Sequence, residues 1–270
     1  LEKSLESNLD VLFVTNHNTL DGFNQITNYK NDHKKFSNLK IFPAEEITTD
    51  KEAHVLVYGL HEEIKSNQTL DEIIDAAKSQ DAITIAPHPF SLIDALRDDS
   101  LKCDLFEVFN SSNIDIYSNK KAEIFAKEKN LLTTAGSDSH IASTIGRCTN
   151  LIDSQNNLDD VIHAMKKGKI SIEKTEYVTH REVLEHIQYK IENSKEYIDQ
   201  YIQEFYPKYF WLFNQMYKSY MFTKKSFVWH AVFKIALFGL RRISYKINFE
   251  GYDPYAFRTR DIPTMTKMIF

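Results

Sequence analysis

The sequence predicts an α/β protein in which parallel βα units carry a functional site and a helical segment follows them. Short apolar runs typical of buried strands alternate with amphipathic stretches of helical period. Side chains suited to catalysis or metal binding follow several of these runs. In parallel α/β folds the carboxyl ends of the strands lie on one face, and sites form there.

The predicted elements follow one another closely. Residues 1–8 are expected to be the last turns of a helix. Thr69 and Thr179, each followed three residues later by a glutamate, form capping boxes that open helices. The second box opens one long helix, with an apolar side that includes Val183, Ile187, Ile191, Ile198, Ile202 and Phe205. Of the other predicted helices, one ends near residue 33 and two span 118–129 and 157–167. The predicted strands are 10–15, 39–44, 53–59, 82–86, 104–109, 131–135, 148–152 and 169–173.

Bulk composition is that of a globular protein able to bury a core, since 42% of its 270 residues are hydrophobic and 26% are charged. No apolar run reaches the ~18 residues of a membrane-spanning helix. Cys103 and Cys148 form no C-x-x-C pattern and suit a reducing compartment, so a cytoplasmic location is predicted.

Charge is distributed unevenly along the chain. Residues 207–270 contain 11 Lys and Arg against 3 Asp and Glu, whereas residues 1–206 contain 22 against 35. The same C-terminal part holds 17 of the 34 aromatic residues. We therefore predict two domains, a catalytic domain at 1–178 and a helical, aromatic-rich and basic extension at 179–270.

The candidate site residues collect at the predicted strand ends. A mixture of imidazoles and carboxylates suits Zn, Mn or Fe, because nitrogen prefers borderline metals and carboxylate oxygen can bridge two ions. The set is too large for one tetrahedral ion, which predicts two or three divalent ions. The candidate metal ligands are His17, Glu46, His54, His88, Asp138 and His140.

Two ions ~3.5–4 Å apart can lower the pKa of a bridging water and neutralise charge on a leaving phosphate oxygen. This chemistry needs no protein nucleophile. Consistently, the sequence contains no G-x-S-x-G, Walker A or H-E-x-x-H motif. We therefore expect a hydrolase that cleaves phosphate esters through a metal-bridged hydroxide.

Six motifs in order resemble those of the polymerase and histidinol phosphatase (PHP) superfamily of metal-dependent phosphoesterases. They are VTNHNT at 14–19, AEEIT at 44–48, HVLVYG at 54–59, APHP at 86–89, FEVFN at 106–110 and GSDSH at 136–140, the last followed by Ile145-Gly146. The resemblance covers about residues 1–175. It implies a distorted (β/α)7 barrel with a trinuclear site, whose ligands would be the six residues named above.

The short segment from Glu46 to His54 is similar to that of the nucleotide phosphatases and 5′-to-3′ exonucleases of this superfamily. The resemblance therefore implies a substrate that is a nucleotide, a small phosphorylated metabolite or a short nucleic acid. Asp138, His140 and Arg147 are the predicted catalytic residues. Arg147 would hold a phosphate by a bidentate contact, or would be a solvated arginine near a strand end.

Two departures from the family pattern affect the prediction. The D-x-H-x-H motif and its S-D-G turn do not occur, and we expect them on a first strand preceding Leu1. Asn16 stands where the family usually has Asp beside the ligand histidine, which would weaken metal affinity if that position supports the ligand shell. The competing hypothesis is a non-catalytic PHP-like module that binds a ligand or partner.

Some assignments stay open at this stage. Glu45 could replace Glu46 as the ligand, although the match to E-I-T favours Glu46. Glu107 and Asn110 are left out of the ligand set, since an asparagine at a strand end often only caps a turn.

The apolar stretch 226–240 is predicted to be a helix that leaves only Ser226, His230 and Lys234 as a polar stripe, so most of its circumference should be covered. It would pack on the barrel or on a second subunit. Alternatively, 207–250 contacts a membrane peripherally, with Lys224, Lys225, Arg241 and Arg242 near anionic head groups. A nucleic-acid groove is the third interpretation.

Overall fold

The computed structural model describes residues 1–223, 226–259 and 261–270. Within them the chain forms two compact units. The first comprises Leu1–Asn113 and Ser118–Val178, and the second comprises Ile114–Tyr117 and Thr179–Phe270. The first is mixed α/β and the second is helical.

The first unit contains eight strands among its described residues, interleaved with helices. The helices are α1 (Glu2–Glu6), α2 (Asp21–Asn31), α3 (Leu70–Ser79), α4 (Tyr117–Lys129) and α5 (Leu158–Lys166). The strands are β1 (Val11–His17), β2 (Lys40–Thr48), β3 (His54–Tyr58), β4 (Ile83–Ala86), β5 (Leu105–Asn110), β6 (Thr133–Gly136), β7 (Cys148–Ile152) and β8 (Ile170–Thr175).

Six strands form one curled sheet in the order β1-β2-β3-β4-β5-β6, and β7 and β8 form an antiparallel pair. The β1–β2, β4–β5 and β5–β6 pairs are parallel, as predicted for βα units. Strand β3 departs from this parallel pattern, because it runs antiparallel to both β2 and β4. Only residues 49–53 connect β2 to β3, which is too short for a parallel crossover.

The reversal of β3 decides where its first residue lies. In a parallel strand His54 would lie at the edge opposite to the other candidate ligands. Because β3 runs backwards, its start pairs with the end of β2, and His54 is opposite Thr48. Strand β2 is also longer than predicted and continues through Glu45 and Glu46 to Thr48.

Helix α3 forms as its sequence predicts. The Thr69 hydroxyl accepts from the Glu72 N–H, and the Glu72 carboxylate accepts from the Thr69 N–H at 2.8 Å, which completes the capping box. Its buried side chains, Leu70, Ile73, Ile74 and Ala77, lie on one face at helical spacing. They pack against one face of the sheet in an apolar cluster shared with Val55 and Val57 of β3.

A second apolar cluster occupies the other face. Leu56, between those two valines, belongs to it together with Phe42 of β2 and Met165 of α5. The alternation of side chains along a strand explains the division. It also separates the two adjacent glutamates of β2, because Glu46 shares the face of Phe42, whereas Glu45 points toward the α3 side.

The second unit consists of helices among its described residues. The capping box of Thr179 and Glu182 opens the first helix as predicted. The prediction of a single long helix is wrong, because the polar stretch 194–197 forms a turn that ends it. The helices are α6 (His180–Asn193), α7 (Ile198–Phe205), α8 (Phe210–Thr223), α9 (Phe227–Phe249), α10 (Tyr255–Arg258) and α11 (Ile262–Ile269).

Helix α9 contains the predicted helical stretch and begins with the Ser226 hydroxyl accepting from the Val228 N–H. Several large apolar side chains of its first half are exposed within this chain, so the expectation that a partner or membrane covers them stays a prediction. Across the described parts of the chain, every helix is too short or too polar to cross a membrane. Lys224 and Lys225, predicted to lie near head groups, fall outside the described residues.

Candidate metal centre

Three strands bring His17, Glu46 and His54 together. His17 ends β1 and is the parallel partner of Glu46, and His54 begins β3 two residues along the ladder. One ligand atom from each residue lies within 4.8 Å of the others, a spacing that could hold a metal ion. His54 Nδ1 is 2.8 Å from Glu46 Oε1, and His17 Nδ1 is 3.6 Å from Glu46 Oε2.

His88 joins this group from the loop after β4. Its Nε2 lies 3.3 Å from Glu46 Oε1, and its ring is 5.6 Å from that of His54. The backbone of His88 has a φ of 30°, in the left-handed region that few non-glycine residues adopt. Such backbone strain persists only where surrounding contacts enforce it, and it concentrates at functional sites.

Asp138 and His140 lie on the wall formed by the end of β6. Asp138 also has a positive φ, of 46°, and its Oδ1 is 3.4 Å from Nδ1 of His140. The His140 ring centroid is 6.2 Å from that of His17. The structure thus brings three of the predicted ligands, His17, His54 and His88, to within 3.6 Å of Glu46 and places Asp138 and His140 beside them.

Arg147 lies elsewhere. Its guanidinium donates to Glu176 Oε2 at 3.0 Å, and Lys174 pairs with the same carboxylate at 3.2 Å. Arg147 is also absent from the described residues that line the pocket at the ligand cluster. The guanidinium thus pairs with a carboxylate of the same chain, and the phosphate contact of Arg147 stays a prediction.

The electrostatics of the cluster centre on an ionised Glu46. Burial would raise the pKa of Glu46, but hydrogen bonds from His54 and His88 and their positive charge hold it well below its usual range. Burial would lower the pKa of His88, but its hydrogen bond to Glu46 and the charges of Glu46, Asp138 and Glu107 raise it to about 9. A carboxylate anion amid imidazoles is a donor set suited to divalent cations.

Glu107, left out of the predicted ligand set, is a buried part of this site. Its Oε2 accepts from the His88 N–H at 2.6 Å and from the Asn110 side-chain amide at 3.0 Å. Its Oε1 lies against Gly136, where an added Cβ would be 2.0 Å away. Burial raises the pKa of Glu107 to about 7, although the charge and N–H of His88 lower it.

The position of Asn110 beside Glu107 results from a register shift in β5. Residues three apart on a regular strand point to opposite faces. Between Glu107 and Phe109 the pairing with β6 shifts by one residue, which turns both polar side chains to the same side. The sequence pattern alone does not reveal such a bulge.

Asn18 is a second residue that the sequence reasoning missed. Its N–H donates to the Glu46 carbonyl at 3.0 Å, and its side-chain oxygen accepts from the Thr48 N–H at 2.9 Å. Its side-chain amide donates to the Thr48 hydroxyl at 3.2 Å. These bonds fasten the residue after His17 to the end of β2, so they hold His17 beside Glu46. In the sequence, the signal for this role was an asparagine directly after a predicted strand. In the structure its φ is 55°, in the left-handed region that asparagine tolerates.

The site opens into a pocket of about 320 Å³ within the first unit. Burial raises the pKa of Tyr58 above its usual range, and the charges of the acidic side chains in the pocket raise it further. The described residues that line it include no Lys or Arg. Its polar lining comprises Thr15, Asn16, Glu46, Tyr58, His88, Glu107, Asn110, Ser137, Asp138 and Ser139.

Glu45 lies on the opposite face of β2 and is fully buried. Burial raises the pKa of Glu45 to about 7. The Ile64 N–H donates to the carboxylate at 3.2 Å and lowers this pKa, whereas the charge of Glu63 raises it. The other carboxylate oxygen has no hydrogen-bond partner. Of the two adjacent glutamates, it is therefore Glu46 that the structure places among the histidines.

This burial predicts a pH-dependent stability. A carboxyl whose folded pKa is raised favours folding fully below its unfolded value of about 4.5, and this contribution is lost as pH rises through about 7. From pH 4 to pH 8.5, unfolding free energy should fall by up to about 3 kcal/mol more in the wild type than in Glu45→Gln. Urea titrations at both pH values measure this difference. Equal changes in the two proteins would contradict it, and Glu128→Gln on the surface of α4 is the matched control.

Comparison with known proteins adds to this geometry. A family model described as PHP-associated matches residues 117–170. This match supports a relation to the PHP superfamily. The matched segment includes α4 and β6 and therefore also His140 and Asp138, of which Asp138 lines the pocket.

Two relatives from Methanocaldococcus jannaschii share sequence with the chain. Uncharacterized protein MJ0417 is 33% identical over 126 residues, which is 43% of this chain and 53% of that protein. Uncharacterized protein MJ1587 is 32% identical over 118 residues, which is 43% of this chain and 66% of that protein. The chain thus spans about half the length of the first relative and about two thirds of the second.

A solved structure shares the fold. The crystal structure of PsfC from Pseudomonas syringae PB-5123 superposes with a TM-score of 0.52 at 19% sequence identity. The match covers 70% of this chain and 86% of that one. At this identity the likeness concerns the fold alone.

Proposed function

We propose that the protein is a metal-dependent phosphoesterase of the PHP type that hydrolyses a phosphate ester. One observation carries the proposal: three imidazoles, from His17, His54 and His88, converge on the single ionised carboxylate of Glu46 at the mouth of a pocket. The match of residues 117–170 to a PHP-associated family supports it.

The charge of the pocket supports a role for divalent cations. Glu46, Glu107 and Asp138 line it without an arginine or lysine from the described residues, so an anionic phosphate ester would be repelled by the protein alone. His17, Glu46, His54, His88, Asp138 and His140 would hold two or three ions, Mn, Zn or Fe. When bound, such ions would activate water and neutralise charge on the leaving oxygen.

The chain's own residues would then orient the reactants. Asn18 fixes the end of β1 against β2, and Gly136 leaves room for the Glu107 carboxylate that accepts from the His88 N–H. Asp138 and His140 on the facing wall are the proposed catalytic residues. Nucleotides, small phosphorylated metabolites and short nucleic acids are the proposed substrates.

The proposed fold is a distorted (β/α)7 barrel. Among the described residues, β1 and β6 are the two edge strands of the six-stranded sheet. Residues 8–13 and 134–137, from these two edges, line one groove of about 370 Å³. The approach of the two edge strands to one groove is consistent with a sheet that curls toward a barrel.

The second candidate is a non-catalytic PHP-like module that binds a ligand or partner. Asn16 favours it, since it brings no charge to the pocket. The Asn16 side chain also lies against Gly22 of α2, where an added Cβ would be 1.8 Å from its Oδ1. A side chain at residue 22 would therefore displace that of Asn16.

A phosphate-release assay distinguishes the two functions. We expect the protein with Mn²⁺ to hydrolyse at least one of nucleoside bisphosphates, histidinol phosphate and short RNA. Asp138→Asn should lose this activity, whereas Asp75→Asn on the surface of α3 should keep it. Absence of turnover of any substrate together with absence of metal uptake would favour the binding module and would contradict the phosphoesterase.

A further inference from the structure

The helix pair α8 and α9 exposes large apolar side chains beyond what a surface helix ordinarily shows. Phe222 near the end of α8 is 93% exposed and Phe227 at the start of α9 is 80% exposed. Further along α9, Ile235 is 73% exposed. Contiguous apolar exposure of this kind marks a contact surface for a partner or a membrane.

The exposed side chains of α9 follow a helical period. Val228, Val232 and Ile235 are spaced to lie on one face of the helix, and the exposed Arg242 falls on the same face. The other side of α9 is covered within the second unit, where the Phe233 ring stacks on that of His180 at 4.3 Å. The helix therefore has one packed side and one bare apolar side.

Helix α8 carries a similar stripe. Trp211, Lys218 and Phe222 are spaced to share one face, and all three are exposed. Tryptophan and lysine side chains combine an apolar body with a polar tip, which suits the boundary between acyl chains and head groups.

The charge of this segment indicates the occupant. Residues 206–249 contain eight Lys and Arg and no Asp or Glu. Exposed Lys218 and Lys234 lie along the two helices themselves. An anionic surface complements such a segment, and each cation near an anionic bilayer strengthens binding.

Two other occupants fit less well. An isologous contact between two copies would set this basic segment against itself, because a two-fold axis pairs identical surfaces. Single-stranded nucleic acid stacks its bases on aromatic rings. Exposed Phe227 and Phe238 of α9 would suit it. The exposed Val228, Val232 and Ile235, however, offer no ring to a base and suit an acyl layer.

We infer that α8 and α9 dock on the surface of an anionic lipid bilayer, with Phe222, Phe227 and Ile235 in the acyl boundary and the lysines at the head groups. The helices lie in the plane of the interface. No described helix is long and apolar enough to cross a membrane, so the apolar stripes have only the depth of an interfacial contact. The inference does not depend on the proposed enzymatic activity.

Vesicle co-sedimentation of the whole chain tests it. We expect sedimentation with vesicles containing one third phosphatidylglycerol in phosphatidylcholine, and at least about tenfold weaker partitioning into phosphatidylcholine alone. Raising the ionic strength to about 1 M should weaken the anionic binding, because screening shortens the range of the charges. Absence of sedimentation with the anionic vesicles would overturn the inference.

Two variants locate the surface. Phe222→Ser with Phe227→Ser should reduce anionic partitioning at least tenfold, and Lys218→Glu with Lys234→Glu should do so without removing any apolar group. The matched control is Tyr197→Ser with Tyr255→Ser, which alters two exposed aromatics of the same unit and should bind as the wild type does. Equal vesicle binding by all variants would refute the lipid contact. The same holds if the Phe222 and Phe227 variant binds vesicles normally but no longer self-associates, since the surface would then join two copies of the chain.

Discussion

Replacing Glu46 with glutamine is expected to weaken binding of Mn²⁺ or Zn²⁺ about a hundredfold or more. Glu46 is the only residue among the four clustered side chains that supplies a negative charge, and its two oxygens face three imidazoles. Substitution of residues that merely support metal ligands typically costs 10–100-fold in affinity. Loss of a shared ligand should cost at least as much.

The measurement is titration calorimetry on metal-free protein, with metal content checked by elemental analysis. Glu46→Gln keeps the shape of the side chain, so its far-UV circular dichroism should match that of the wild type. Glu128→Gln, on the exposed side of α4, changes the same charge away from the site and should bind metal normally. Equal affinity for the two variants would remove the metal centre from the proposed function.

Replacing Phe106 with alanine is expected to destabilise the first unit by about 3–5 kcal/mol. Phe106 is among the largest fully buried side chains, and its ring stacks on Phe125 at 5.7 Å and lies 6.4 Å from Phe90. Truncation removes apolar contact and leaves a cavity that neighbouring rings fill only in part. Because Phe106 precedes Glu107 on β5, the loss also loosens the support of the His88 N–H.

The effect is measured by urea denaturation, with hydrogen exchange of peptides from β5 as the readout of unfolding. Tryptophan fluorescence does not report on it, since Trp211 and Trp229 both lie in the second unit. Ile124→Ala, at an exposed position of α4, should change stability by less than about 0.5 kcal/mol. A loss below about 1 kcal/mol for Phe106→Ala would show that the cluster repacks.

Most residues of the candidate site were accessible from sequence because they end or follow an apolar run that folds locally as a strand. His17, Glu46 and His88 needed only the location of β1, β2 and β4 to be placed at one edge. Glu107 was not accessible in this way. Its approach to His88 depends on the register shift in β5 and on the absence of a side chain at Gly136.

Arg147 shows a different limit. A guanidinium close in sequence to a predicted site can bind a phosphate or a neighbouring carboxylate, and sequence does not distinguish them. The pairing of β7 with β8 brings Glu176, just beyond β8, to within 3.0 Å of it. Its partner is thus set by an antiparallel pairing that is non-local in sequence.

The sequence by itself determined the local features of this protein. Thr69 and Thr179 start helices because their hydroxyls and the glutamates that follow satisfy free backbone groups within one turn. Tertiary structure alone decided the register of β3 on β2 and the register shift in β5, which place His54 and Asn110 at the site. The reason is that helix caps depend on neighbours in the chain, whereas strand register depends on packing between distant segments.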